Sequence, residues 1–334
     1  MSDSSSLNAW VWATDSTSQI ASGGDLTAWP RITVVTPSYN QGQFIEETIR
    51  SVLLQGYPNL EYIVMDGGST DQTVEVIEKY ASQIDYWESG QDRGQSHAIN
   101  KGFQRATGDI VAWLNSDDTY LPNALFTIAK AFLANPDVAF IYGVCQLTDE
   151  AGEWERDKGA AWDFGRLLRR TYFGQPATFI RRNIVEQIDY VDETLHQVMD
   201  WDLWIRMGLV SEGLFIEEPL ATARMWDGIK TVHSSRLLKD EHIPVLEKLV
   251  TREEIGRDRL KLAQTALAER KFYYGYRAWR LKKPRVAFKS WREALMLDTK
   301  FVLWDGFYSL LINRLPRRPV ETGLALKRKL VRSS

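Results

Sequence analysis

Apolar runs and polar turns follow one another along the chain in a regular order. Ile32-Thr33-Val34-Val35 is an apolar strand, and Thr36-Pro37-Ser38-Tyr39-Asn40 after it is rich in turn formers. From about Gln43 to Gln55, residues Phe44, Ile45, Ile49, Val52 and Leu53 recur at helical spacing. Gly56-Tyr57-Pro58-Asn59 ends that helix. Leu60 to Met65 is the next buried strand; it runs into Asp66-Gly67-Gly68-Ser69-Thr70-Asp71 and a helix to about Tyr80. A weaker strand at Tyr86-Trp87-Glu88 precedes a helix from Gln95 to Ala106. Ile110 to Leu114 is a third apolar strand, ending in Asn115-Ser116-Asp117-Asp118. A helix from Ala124 to Ala134 and a strand from Val138 to Tyr142 complete the series. Such alternation predicts an α/β fold, with right-handed crossovers and a mostly parallel sheet flanked by helices. Ser38, Asn40, Asp66 and Asp117 all fall where strands end, the edge at which open α/β sheets bind ligands.

Between about 144 and 232 the pattern is less regular. It holds Gly174-Gln175-Pro176-Ala177-Thr178-Phe179-Ile180 and a helical segment, Met199-Asp200-Trp201-Asp202-Leu203-Trp204-Ile205-Arg206. Asp200 and Asp202 lie in its first turn, where the helix dipole favours carboxylates and where ordinary capping also places them. From about Ser234 the chain is helical and basic. Tyr273–Trp279 and Arg285–Leu297 read as antiparallel helices joined at Lys282-Lys283-Pro284, one tetratricopeptide-like hairpin. A single such unit must pack on the body or on a partner. Phe301 to Leu311 is an amphipathic aromatic segment followed by Arg314, Arg317 and Arg318, suited to core packing or to a membrane interface. Residues 1–29 lack periodicity and read as a mobile leader, with Trp10 and Trp12 able to dock. The expected division is therefore a leader at 1–29, a catalytic domain at 30–233 and a basic helical extension at 234–334.

Composition narrows the class. The 334 residues are 44% hydrophobic and 25% charged, ordinary for a globular chain. No apolar run reaches the length of a bilayer, and no secretory signal pattern opens the chain. Cys145 is the single cysteine, which rules out an internal disulfide and reads as a small core residue. These features predict a cytoplasmic protein. The net charge of −3 conceals an asymmetry: residues 251–334 hold 21 basic and 8 acidic side chains, so the tail is strongly positive and the rest negative. An anionic surface is the partner such a tail suits. Among a membrane leaflet, an anionic lipid carrier and nucleic acid, the expectation is peripheral attachment at the inner membrane face, without nucleic acid.

The chain lacks a phosphate loop ending in Lys-Ser or Lys-Thr, a Gly-x-Gly-x-x-Gly after the first strand, a Gly-x-Ser-x-Gly elbow and a His-Glu-x-x-His pair. These absences argue against an ATPase, a nicotinamide enzyme, a serine hydrolase and a zinc protease. What remains is a set of acids: Asp66, Asp117, Asp118, Asp200 and Asp202. Adjacent carboxylates at a strand end suit Mg²⁺ or Mn²⁺, which is completed by water and phosphate oxygens; the competing reading of Asp118 is a turn or N-cap. Asp66 suits a base or ribose contact, or an Asx-turn into Gly67-Gly68. A further carboxylate that takes a proton from a hydroxyl would complete a displacement at a sugar carbon.

At this point several blocks together resemble the inverting family 2 glycosyltransferases of GT-A fold, in the form found in bacterial surface and capsular polysaccharide synthesis. Val34-Val35-Thr36-Pro37-Ser38-Tyr39-Asn40 resembles their nucleotide loop, and Met65 to Asp71 the block whose first Asp contacts the nucleobase. Gly94-Gln95-Ser96-His97-Ala98-Ile99-Asn100-Lys101-Gly102 resembles the helix start beside the donor. Thr107 to Asp118 resembles the strand and metal motif, and Met199 to Trp204 the acceptor-side acidic motif. The resemblance implies a nucleotide-diphospho-sugar donor held by Thr36, Pro37, Ser38, Tyr39, Asn40, Asp66, Arg93, Gln95, Lys101, Asn115 and Ser116. It implies Mg²⁺ or Mn²⁺ on Asp117 and Asp118, and Asp200 as base with Asp202 the alternative. A glycan or lipid-linked glycan would be the acceptor. Two departures stand out. Asn115 occupies a place where the family often has Asp, and Trp226 in Arg224-Met225-Trp226 stands where an Arg-x-His motif would put His. His233 is the candidate substitute, and Arg224 or Lys230 the candidate phosphate partner. Lys230 and Thr231 still match the family's residues just after that motif. His97 reads as a local hydrogen-bonding residue; Trp201 and Trp204 suit acceptor stacking or core packing. Two other classes stay open: a sugar nucleotidyltransferase, against which the lack of Arg or Lys between Thr36 and Gln41 counts, and a non-catalytic scaffold on the same fold.

Overall fold

The computed structural model describes residues 29–226 and 240–306. The chain divides into two units, Met1–Arg236 and Leu237–Ser334. The leader up to residue 28, the candidates Lys230, Thr231 and His233, and the arginines from Arg314 onward lie outside the described residues.

The first unit is built on a nine-stranded sheet. β1 (Ile32–Ser38) is buried at every position and β2 (Leu60–Asp66) at all but its first, as expected for strands covered on both faces. β3 (Tyr86–Ser89) pairs with β2, and β4 (Ile110–Trp113) with β1, all in parallel. Register sets Ser38 beside Asp66, Asp66 beside Ser89, and Val35 beside Trp113. The carboxyl ends of four parallel strands thus form one edge. The helices between them follow the apolar spacing: α1 (Ile45–Leu53), α2 (Thr73–Tyr80) and α3 (Gln95–Arg105).

Beyond β4 the pairing changes. β5 (Thr119–Tyr120) and α4 (Ala124–Ala134) precede β6 (Phe140–Thr148). β6 runs on through Gly143 and Cys145 past the expected end at Tyr142. β7 (Trp154–Lys158) returns beside it after the short loop 149–153, a connection that permits only antiparallel pairing. After α5 (Phe164–Arg169), β8 (Thr178–Arg181) lies antiparallel between β4 and β6; α6 (Arg182–Gln187) and α7 (Met199–Val210) follow. β9 (Leu214–Arg224) is parallel to β6 and antiparallel to β5. The order is β3-β2-β1-β4-β8-β6-β9-β5, so the parallel half predicted from the alternation is joined to a mixed half. Cys145 is a core residue: its sulfur packs on Gly174, where a Cβ would lie 2.5 Å away, and burial raises its thiol pKa.

The second unit contains α8 (His242–Val250), α9 (Arg257–Arg280) and α10 (Pro284–Leu297), followed by a π-helical turn at Phe301–Gly306. α9 begins at Arg257, well before Tyr273, because Ala263, Ala266, Leu267 and Ala268 continue its buried face. The hairpin is antiparallel, with Trp279 against Phe288, Phe272 against Trp291, and Thr265 hydrogen-bonded to Asp298. Gly275 permits the close crossing, since a Cβ there would meet the Trp291 ring at 2.7 Å. Phe301 and Val302 are buried with Ala268, Phe272 and Ala294. Lys271 ties all three helices by reaching Glu247 and Glu293 at 2.6 Å each. Among the described residues, no helix is long and apolar enough to cross a membrane.

Candidate active site

The loop after β1 and the loop after β2 are sewn together. Asn40 accepts from the Thr70 amide at 2.9 Å, and its own amide donates to Ser69 Oγ at 2.7 Å. Asn40 has φ of 52°, a left-handed conformation that Asn tolerates. Asp66 is buried beneath this seam. Its Oδ2 accepts from the Gly68 and Ser69 amides and from Ser89 Oγ, and its Oδ1 accepts from Ser69 Oγ. Gly68, at φ +84°, supplies the turn conformation that lets both amides point back. Asp66 therefore makes the Asx-type turn. Thr36 is fully buried and bonded to the Tyr62 hydroxyl, and Pro37 is buried inside the strand. Tyr39 and Asn40 carry what the loop presents outward. Ser38 Oγ is buried with no hydrogen-bond partner among the described residues, and the Tyr39 ring is 62% exposed.

At the end of β4 the two acids separate. Asp118 is buried: Oδ1 accepts from the Arg224 amide at 3.1 Å and Oδ2 from Asn115 Nδ2 at 3.0 Å. Burial, and next the charge of Asp117, hold its carboxyl well above the usual range, against the opposing pull of those two donors. Both oxygens are bonded within the protein, so Asp118 braces the loop. Asp117 is half-buried, and its Oδ2 accepts from Trp226 Nε1 at 2.9 Å. Trp226 itself is held edge-on by Phe44, ring centres 5.1 Å apart. The residue standing at the expected His position thus touches the same carboxylate through an indole N–H.

Asn115 is a junction of the loop. Its carbonyl oxygen accepts from Gln95 Nε2 at 2.8 Å, and its amide donates to Asp118 and to Gln175 Oε1 at 3.1 Å. Gln175 in turn donates to the Trp113 carbonyl at 2.6 Å. Nothing local in Gly174-Gln175-Pro176 signals this bridge; only its recurrence beside a strand-end acid would have. Ser116 is buried in the same turn.

α3 links this loop to α7. Next to Gln95, Ser96 Oγ lies 2.8 Å from Met199 Sδ and 3.2 Å from the Leu195 carbonyl. Asn100 exchanges hydrogen bonds with the Val191 backbone. These contacts fix the start of α7 beside the start of α3. There, Asp200 is half-buried and its Oδ1 accepts from the Trp201 amide at 2.8 Å, one of the donors a helix start leaves unpaired. Asp202 is buried and bound to Arg206 Nε at 2.8 Å, while Arg206 also donates to the Ile188 carbonyl. Trp201 is buried with Nε1 donating to the Leu167 carbonyl, and Trp204 stacks on Trp113 at 5.5 Å; both are core residues and not acceptor platforms.

The cations expected near the donor are engaged by carboxylates. Lys101 pairs with Glu88, and Arg93 with Glu193 at 2.7 Å. Arg224, proposed from sequence as a phosphate partner, is buried instead against Glu47 at 2.6 Å, with further bonds to the Glu150 and Asp117 carbonyls. His97 accepts from the Arg93 amide, the local role expected of it.

Among the described residues, no three His, Cys, Asp or Glu side chains gather around one point. Of the two strand-end acids, the half-buried Asp117 could hold a divalent cation completed by water and phosphate oxygens.

Four parallel strand ends, an acid pair after β4 and a second acid pair at the start of α7 are thus joined in one α/β unit. The sequence profile described as Glycosyl transferase family 2 matches residues 33–195. A putative teichuronic acid biosynthesis glycosyltransferase, TuaG, of Bacillus subtilis is 39% identical over 211 residues, which are 60% of this chain and 81% of that protein. The chain belongs to glycosyl transferase family 2. An uncharacterized glycosyltransferase of Rickettsia bellii is 30% identical over 201 residues, 57% of this chain but only 29% of its own length. The crystal structure of Staphylococcus aureus TarS residues 1–349, in complex with UDP-GlcNAc, superposes with a TM-score of 0.60 at 20% identity and 79% coverage of each chain, a likeness of fold.

Proposed function

We propose that the chain transfers a sugar from a nucleotide-diphosphate donor to a hydroxyl of a glycan or lipid-linked glycan acceptor, with inversion and with help from a divalent cation, in the assembly of a surface polysaccharide. The observation that carries this reading is the bridge from Asn115 through Gln95 and Ser96 to Met199, which brings the Asp117 loop and the Asp200 turn to the same end of α3. Asp200 is the base because Asp202 is tied to Arg206. Asp200 takes the acceptor proton as the hydroxyl oxygen bonds to the anomeric carbon; the bond from that carbon to the diphosphate oxygen breaks on the opposite face. Tyr39 offers an exposed ring for the nucleobase, and Ser38 Oγ a buried hydroxyl lacking a partner. A cation on Asp117 would supply charge stabilisation for the departing diphosphate. The pairing of Lys101, Arg93 and Arg224 with glutamates supports that need, since each enters with its charge already balanced.

The test is a panel of nucleotide-diphospho-sugars with Mg²⁺ or Mn²⁺, with and without chelator. Nucleoside diphosphate release that stops with EDTA is expected, and an α-linked donor should give a β-linked product. Retention of configuration would overturn inversion, and undiminished turnover in EDTA would overturn cation assistance. Pyrophosphate release from a nucleoside triphosphate and sugar phosphate would favour the nucleotidyltransferase. Silence with every donor would favour a scaffold.

A further inference from the structure

The cations of the helical unit fall into two populations. Lys271 is buried between Glu247 and Glu293, and Arg270 and Arg277 approach Asp240 at 3.8 and 3.9 Å. Around the α9–α10 turn the situation is reversed. From Arg270 to Arg292 the chain holds nine basic residues and no acid. Arg280, Lys282, Lys283, Arg285 and Arg292 are all exposed or half-exposed, and no ion pair is found for them among the described residues. The apolar side chains of the same tip are exposed as well: Trp279 50%, Leu281 53% and Phe288 60%.

These apolar groups form a fixed face. Trp279 meets Phe288 at 5.8 Å and Trp291 at 6.0 Å, and Phe288 meets Trp291 at 5.7 Å. Lys282 at φ +57° and Pro284 at the first position of α10 hold the turn tight, which leaves Leu281 at the apex between the two helices. An aromatic and aliphatic apex ringed by unpaired cations matches a lipid interface, where rings enter the headgroup layer and Lys and Arg meet anionic phosphates.

We infer that this hairpin tip docks the protein on an anionic phospholipid surface. Charge complementarity selects that occupant: an apolar partner would leave the cations without counter-ions, and a purely polyanionic one would leave Trp279, Leu281 and Phe288 in water. The inference rests on the helical unit alone and stands or falls independently of the transfer chemistry.

The experiment is vesicle co-sedimentation of the full chain, comparing phosphatidylcholine with phosphatidylcholine doped with phosphatidylglycerol. Binding to the anionic vesicles only, weakened by salt, is expected. Lys282→Gln, Lys283→Gln and Arg285→Gln together should lower affinity roughly a hundredfold, about fivefold per charge. A second variant, Leu281→Ser with Phe288→Ser, should weaken binding and make what remains fully salt-sensitive. Unchanged circular dichroism verifies the fold of both, since the substituted side chains are exposed. Wild-type binding by the triple variant would overturn the inference, as would equal binding to neutral vesicles. Retention by single-stranded RNA with no sedimentation on anionic vesicles would overturn it in favour of a nucleic-acid surface.

Discussion

In Asp117-Asp118 the buried carboxylate sits between the Arg224 amide and the Asn115 side chain; in Asp200-Trp201-Asp202 the buried carboxylate faces the Arg206 guanidinium. The first loop thus holds two carboxylates with only neutral donors on the buried one. Burial, and next the neighbouring charge of Asp117, raise the Asp118 pKa. The second turn supplies its own counter-charge, one helical turn onward at Arg206. Adjacent carboxylates at a strand end suit a cation shared with an anionic ligand, whereas a carboxylate whose neighbour is already tied to a guanidinium suits a base that must act on a neutral hydroxyl. The two acid pairs, similar in spacing, are built for different partners.

The comparison makes its largest demand at Asp200. Asp200→Asn should lower kcat by roughly 10²- to 10⁴-fold, the usual contribution of a positioned general base. Thermal stability and donor affinity should hold, because Asn keeps an oxygen for the Trp201 amide. A kinetic and calorimetric pair of measurements checks both halves; a variant retaining wild-type kcat would remove Asp200 from the reaction.

The buried members should separate by stability instead. Asp202→Asn leaves the half-buried Arg206 without its counter-charge, and Arg206 Nη2 already lacks a hydrogen-bond partner among the described residues. Removing one partner of such a pair costs about 3 kcal/mol. Asp118→Asn should cost less, about 1 kcal/mol, because one of its two accepted bonds is lost while the penalty of burying charge beside Asp117 is relieved. Urea unfolding of the two variants in chelator would show the order. Equal losses would mean that the two buried carboxylates are held alike.

Much of this was legible in the chain itself. The parallel strands and the helices between them followed from apolar runs and helical spacing, and the strand-end acids from where those runs stop. The split between Asp200 and Asp202 also had a readable signal, since Asp202 and Arg206 stand at i, i+4 on one helix. What escaped was whatever depended on distant chain. The mixed half of the sheet is set by β8 and β9, which carry no crossover pattern. The engagement of Asp118 depends on the backbone of Arg224, 106 residues away, and that of Asn115 on Gln175, 60 residues away. The Arg224 side chain, read as a phosphate partner, is withdrawn by Glu47 across 177 residues of sequence.

Trp226 tests the finest part of the comparison, because its side chain contacts Asp117. Its indole N–H orients Asp117 Oδ2, while Phe44 fixes the ring edge-on. Trp226→Phe keeps the aromatic contact and deletes only the hydrogen bond to a carboxylate, a difference of about 1 kcal/mol for a half-exposed bond. If that bond holds Asp117 for a cation, the variant should need severalfold more Mn²⁺ for half-maximal turnover, with little change in the melting temperature. Trp226→His replaces the donor with a ring that can also coordinate, and should return the Mn²⁺ requirement toward or below that of the wild type. A melting-temperature loss with no change in Mn²⁺ requirement would instead make Trp226 a packing partner of Phe44, and Asp117 would owe its orientation to β4 alone.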